Sequence, residues 1–248
     1  MKPLFYIPCI LAIVFAAATG TGCHTNSQPV APPPDDAAAE LRNIQAANDS
    51  MVREARQGIK TGDLILRTGT DFSSDQVKRL STQDKTYSHG GIAVVDSGEI
   101  YVYHVEPDYH LVRDKVRKEK LDSFCDPAHN LGIGIARYNL SDAQQKTFIA
   151  YLNKQYRLQV PFDIRFDLTT DTSLYCSEMI SKGLALATRN KLVISTERIK
   201  DRSKFKLIKQ YFKLNEKQIV TRDVILIDHL YLNPHCTMLK QFTYLEQQ

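Results

Sequence analysis

The sequence predicts an α+β protein, a small antiparallel β-sheet or barrel packed against helices, and three observations lead to it. Two β-rich runs, His89 to Val95 and Glu99 to Val105, flank the turn Asp96-Ser97-Gly98 and read as a hairpin. Ser141 to Tyr156 gathers Phe148, Ile149 and Leu152 on one helical face, and a second long helix is expected from Leu174 to about Thr188. A chain of 248 residues, 43% hydrophobic, can bury one sizeable core, so one catalytic-sized domain is expected.

The N-terminus is read apart from that domain. Leu4 to Ala18 is almost wholly apolar, follows Lys2 and leads into small residues, the pattern of an export signal over residues 1–22. The run ends in Gly20-Thr21-Gly22-Cys23, which resembles a lipoprotein cleavage box with Gly20 in place of the usual aliphatic residue; cleavage after Ala18 is the alternative. Acylation of Cys23 would anchor the chain to a membrane from the exported side of the envelope. Residues 23–36 are polar and proline-rich, a tether, which leaves 37–248 as the folded domain.

Within the domain, Leu41, Ile44, Ala47 and Met51 fall at helical spacing, so Ala37 to Gln57 is expected to be an amphipathic helix that Gly58 stops. Thr61 to Arg67 reads as a turn and a buried strand. Ser73 and Gln76 form a capping-box pattern that starts a short helix to Leu80. After the hairpin, Leu131 to Tyr138 alternates as a further strand; Thr172 or Ser173 is the expected cap of the Leu174 helix, and Gln218 to Asp228 is expected to be a last strand.

Net charge is only +4 with acids and bases interspersed, so no nucleic-acid footprint appears. The densest basic run, Arg113 to Lys120, reads as a solvated face. With Cys9 and Cys23 in the leader, three widely spaced cysteines remain, Cys125, Cys176 and Cys236, a poor disulfide framework although a Cys125–Cys236 bridge stays open.

The chemistry is expected at Tyr175-Cys176-Ser177-Glu178 and Tyr87-Ser88-His89-Gly90-Gly91-Ile92. Cys176 falls in the first turn of a helix, where unpaired N–H groups favour a thiolate nucleophile. His89 opens the first hairpin strand and can act as the base, while His104 and Glu106 share a face of the next strand and can orient it. The alternatives are a buried structural cysteine or a zinc site built from Cys176, His89, His104 and Glu106.

Gly62-Asp63-Leu64-Ile65, the two motifs just quoted and Val102-Tyr103-His104, in this order, resemble the circularly permuted papain-like hydrolases of the YiiX/YaeF type, relatives of NlpC-type amidases and lecithin retinol acyltransferase. The histidine precedes the cysteine, as in that permuted branch. The resemblance implies a circularly permuted papain-like (NlpC-type) fold, Cys176 as nucleophile, His89 as base and His104 as orienting residue, with Glu106 the second candidate because many relatives carry Glu there. It implies no metal or organic cofactor. Tyr175 and Ser88 are candidates to line the site, and the Cys176 N–H is the expected oxyanion donor. An exported enzyme of this kind would act on an amide, or an ester, of cell-wall peptide fragments or of N-acylated amino acids or lipids. A ligand-binding lipoprotein without turnover is the rival reading.

Overall fold

A computed structural model describes residues 35–107, 114–212 and 214–246. The expected signal, Cys23 and almost all of the tether lie outside the described residues, as do residues 108–113. Helix α1 spans Asp35–Arg56, followed by β1 Leu64–Gly69, α2 Phe72–Leu80, β2 His89–Asp96, β3 Glu99–His104, β4 Arg117–Lys120 and α3 Leu121–Phe124. Then come β5 Asn130–Tyr138, α4 Asp142–Arg157, α5 Cys176–Thr188, β6 Glu197–Arg198, α6 Phe205–Phe212, α7 Glu216–Thr221, β7 Asp223–Val224, α8 Asp228–Tyr231 and β8 Cys236–Thr243. No described helix is long and apolar enough to cross a membrane.

Six strands form one sheet in the order β4-β3-β2-β1-β5-β8, antiparallel throughout, and β6 pairs with β7 apart from it. The hairpin closes where expected: Asp96 pairs with Glu99, and Ser97 and Gly98 both take positive φ, the conformation a two-residue turn demands. One sheet face packs Leu64, Leu66 and Ile92 against Phe148, Leu152, Met179 and Ile180 of α4 and α5. Gly183 lets those helices close, because a Cβ there would meet the Phe148 ring. On the opposite face Ile65, Ala93, Val102 and Ile133 meet Val52, Ala55, Leu121 and Phe124. A third cluster joins Leu80 of α2 to Phe205, Ile208, Leu214, Ile219, Val224 and Leu226, and makes a small lobe from the chain after α5.

Several boundaries differ from expectation. The cap of α2 is Asp71, whose carboxylate accepts the Ser74 N–H at 3.0 Å, so Ser73 lies inside the first turn. Neither Thr172 nor Ser173 caps α5: Leu174 is held extended by donating to the Pro161 carbonyl, Tyr175 becomes the N-cap, and the Glu178 carboxylate accepts its N–H. The expected strand from Gln218 to Asp228 breaks up, because Asn215 and Gln218 cap each other's backbone and start α7, leaving only Asp223–Val224 to pair. Val224 to Ile227 is nevertheless buried throughout.

Two strands of the six-stranded sheet lack a sequence expectation, as does the two-residue β6. β8 adds the edge beside β5, and its inward-alternating set includes Lys240, whose ammonium donates to the Glu54 and Gln57 carbonyls at the end of α1. β4 forms inside the run read as a solvated face. Cys125 and Cys236 are both free thiols.

Candidate active site

The sheet and α5 bring the two opening motifs together. Cys176 is the first residue of α5, and the backbone N–H groups of Ser177 and Gly90, the residue after His89, are directed at its sulfur. His89 and Cys176 line one cavity of about 420 Å³ with Arg67, Ser88, Glu106, Phe166 and Tyr175. His89 is 7% exposed and opens β2.

The imidazoles of His89 and His104 face each other, Nε2 to Nδ1 at 3.0 Å, and Nε2 of His104 reaches a Glu119 carboxylate oxygen at 2.9 Å. Gly91 permits that approach, because a Cβ there would collide with Val102 and fall 2.9 Å from the Tyr103 carbonyl oxygen. Phe124 packs against both rings, with centroids 5.7 Å from His89 and 5.0 Å from His104, so their orientation is fixed from below. With Nε2 engaged, Nδ1 is the ring nitrogen of His89 left for the thiol.

Glu106 is held elsewhere. Arg67 binds one of its oxygens and Arg117 the other, at 2.6 Å, and Nε2 of His89 is 3.6 Å away. Arg67 is in turn fixed by Asn130 at 3.1 Å and by stacking over Phe124. Burial works against ionisation of Glu106, yet the positive field of His89, His104, Arg67 and Arg117 outweighs it and brings its pKa down to about 2. At neutral pH the two guanidiniums carry that effect, being permanently charged and bonded to it.

Burial reverses the expected thiolate. Desolvation pushes the Cys176 pKa up to about 11, against the lowering by the Ser177 and Gly90 amides, so the helix start does not ionise the thiol. Burial also pushes the His89 imidazole well below its ordinary value; Glu106 opposes that, and Arg67, His104 and Arg117 reinforce it. The thiol and the imidazole that line this cavity are therefore both neutral at rest.

The other candidates line the cavity with their hydroxyls engaged. Ser88 Oγ accepts the Gly69 N–H at 3.0 Å, and Tyr175 Oη accepts the Ile225 N–H at 2.9 Å. Asp163 is 4% exposed and accepts the Arg165 and Asp167 N–H groups, so it shapes a turn. The N–H of Cys176, at the first helical position, has no intrahelical acceptor by geometry and is free for an oxyanion.

His89, His104 and Glu106 place ligand atoms within 4.8 Å of one another, so they are the set to test for a metal. They do not fit a divalent cation in this arrangement. Two arginines neutralise Glu106, and an ion between the rings would have to break the His89–His104 hydrogen bond and face both guanidiniums.

A second, apolar crevice opens at the same cysteine. Cys176 and Tyr175 also border a space of about 50 Å³ walled by Leu80, Ile208, Ile219 and Leu226, the third core cluster. Sequence reasoning missed Arg67 in the polar cavity, Arg117 and Glu119 bonded behind it to Glu106 and His104, and this whole wall. Only Leu226, within the apolar run Val224 to Ile227, carried a signal of burial.

A histidine and a cysteine delivered by a strand and a helix start in permuted order define a papain-like thiol hydrolase architecture. A family model described as "Permuted papain-like amidase enzyme, YaeF/YiiX, C92 family" matches residues 58–232, and the chain belongs to that family. Among solved structures, the chain is similar to the metalloprotein yiiX from Escherichia coli O157:H7, at TM-score 0.59 and 20% identity, covering 74% of this chain and 98% of that one. No curated protein matches the sequence.

Proposed function

We propose that the protein is a cysteine amidase that cleaves N-acyl bonds joining a short apolar acyl chain to a polar amine. The observation that carries this is the position of Cys176 at the meeting of a polar cavity and an apolar crevice. Cys176 attacks the carbonyl carbon as Nδ1 of His89 takes the thiol proton, and the Cys176 N–H holds the oxyanion. His89 then returns the proton to the amine nitrogen as the C–N bond breaks, leaving a thioester that water hydrolyses. His104 orients His89; Glu106, clamped by two arginines, supplies field rather than a triad bond.

The proton donor dictates which side is which. The leaving amine has to lie on the His89 side, among Ser88, Glu106 and Arg67, and the acyl group on the other, against Ile219 and Leu226. A space of about 50 Å³ is room for about four water-sized spheres at 10–15 Å³ each, so the acyl chain that it accepts is short. Cell-wall peptide fragments, polar on both sides of the bond, fit less well. The leader supports export with Cys23 as the lipid-bearing first residue of the mature chain, which would hold the domain at a membrane surface.

A panel of N-acyl amino acids from acetyl to palmitoyl tests the reading. Turnover is expected to peak near butyryl and hexanoyl and to vanish in Cys176→Ala; no turnover of any member, with Cys176 labelled by iodoacetamide no faster after His89 is restored to His89→Ala, would favour the binding-lipoprotein rival.

A further inference from the structure

The charged edge strand β4 divides by alternation. Lys118 and Lys120 turn outward to Asp96 at 3.1 Å and Glu99 at 4.0 Å. Arg117 and Glu119 turn to the site, where Arg117 holds Glu106 at 2.6 Å and Glu119 meets Nε2 of His104 at 2.9 Å. We infer that Glu119 is a positioning residue that sets the tautomers of both imidazoles and so leaves His89 able to accept the thiol proton.

An ionised carboxylate only accepts, so Glu119 fixes the His104 proton on Nε2. Nδ1 of His104 is then bare and accepts from Nε2–H of His89, which leaves Nδ1 of His89 bare and able to accept the thiol proton in the cavity that it shares with Cys176. The opposite arrangement disables the site: with its proton on Nδ1, His104 would donate to Nε2 of His89, and the His89 proton would sit on Nδ1. That nitrogen could donate to the sulfur but take nothing from it. Nothing at the His89 end selects between the two arrangements as strongly, because Glu106 lies 3.6 Å from Nε2, beyond the 3.0 Å of His104, and is held by its arginines.

This inference rests on the Cys176–His89 pair proposed above, so the test separates the two. In the full chain labelled with ¹⁵N, long-range ¹H–¹⁵N spectra of the imidazoles report the tautomers, and peptide-resolved mass spectrometry reports the rate of iodoacetamide alkylation at Cys176. The wild-type protein is expected to show Nε2–H on both rings. Glu119→Ala is expected to populate Nδ1–H on His104 and to slow alkylation about tenfold, the lower end of what loss of an outer-shell partner costs a metal-binding histidine. Glu119→Gln, isosteric and able to accept through its amide oxygen, is expected to recover most of that rate. Glu119 is a third exposed, and the imidazole spectra themselves show whether each variant is folded. Nδ1–H on His104 in the wild type, or an unchanged tautomer and rate in Glu119→Ala while His89→Ala is slow, would overturn the inference and leave the hydrolase reading standing. An unchanged alkylation rate in His89→Ala would instead sink the hydrolase reading, with the His104 tautomer in Glu119→Ala still deciding this one.

Discussion

The two sides of Cys176 are built by different means. The polar side rests on β1 to β4, where backbone pairing fixes each residue opposite its neighbour, Arg67 against His89 and His104 against Arg117. The apolar side rests on α6, α7 and the two-residue pairing of β6 with β7, held mainly by side-chain packing. A ladder fixes hydrogen-bonding atoms within tenths of an ångström, which proton transfer needs. Packing alone fixes a shape, which suffices for an apolar chain and changes easily.

The largest expected difference between the sides is electrostatic. Glu106 has its pKa lowered from 4.5 to about 2, so its contribution to stability is present above its unfolded value and is lost as pH falls through the folded one. The full shift is worth ~3 kcal/mol, and ~2 kcal/mol of it should be gone by pH 3. Urea unfolding at pH 7 and pH 3 should show that loss in the wild type, and Glu106→Gln should flatten it. An equal slope in both proteins would mean that the clamp does not stabilise the polar side.

Next comes the closeness of β2 and β3. Gly91→Ala puts a methyl 2.9 Å from the Tyr103 carbonyl oxygen and 3.0 Å from the His104 Cβ, so backbone has to move. Overpacking of this kind costs about 1–3 kcal/mol, and the displaced His104 should slow Cys176 alkylation several-fold. Wild-type alkylation together with a wild-type melting temperature would show that the register tolerates slack.

The same contrast explains what was legible in the sequence. The hairpin follows from a local turn and period-2 alternation, so it could be read from residues 89–105; alternation put both His104 and Glu106 on the face toward His89, and only the family resemblance favoured His104. The cysteine at a helix start could be read too, although the cap was misplaced because Leu174 is held by Pro161, a contact sequence spacing does not reveal. β4 was invisible, since charged residues fill both of its faces and only the neighbours of Arg117 and Glu119 distinguish inside from outside. Lys240 hid β8 in the same way, by occupying an inward position. The thiolate was misjudged because a helix start is a local feature, whereas burial of the sulfur depends on everything packed around it.

The smallest expected effect falls on the packed side. Leu226, 6% exposed, lines the crevice away from the hydrogen-bonded chain of His89, His104 and Glu119. Leu226→Trp should fill the space and move the preference for N-butyryl over N-acetyl substrates by about tenfold, because one or two methylenes in an apolar pocket are worth ~1–3 kcal/mol. Iodoacetamide labelling of Cys176 should be unchanged, since the polar side does not depend on that residue. Measuring the ratio of kcat/KM for the two substrates alongside the labelling rate tests both halves at once. A lower labelling rate would mean that the packed lobe also sets the geometry of the thiol and that the two sides are not independent. An unchanged ratio would mean that the acyl chain does not enter the crevice.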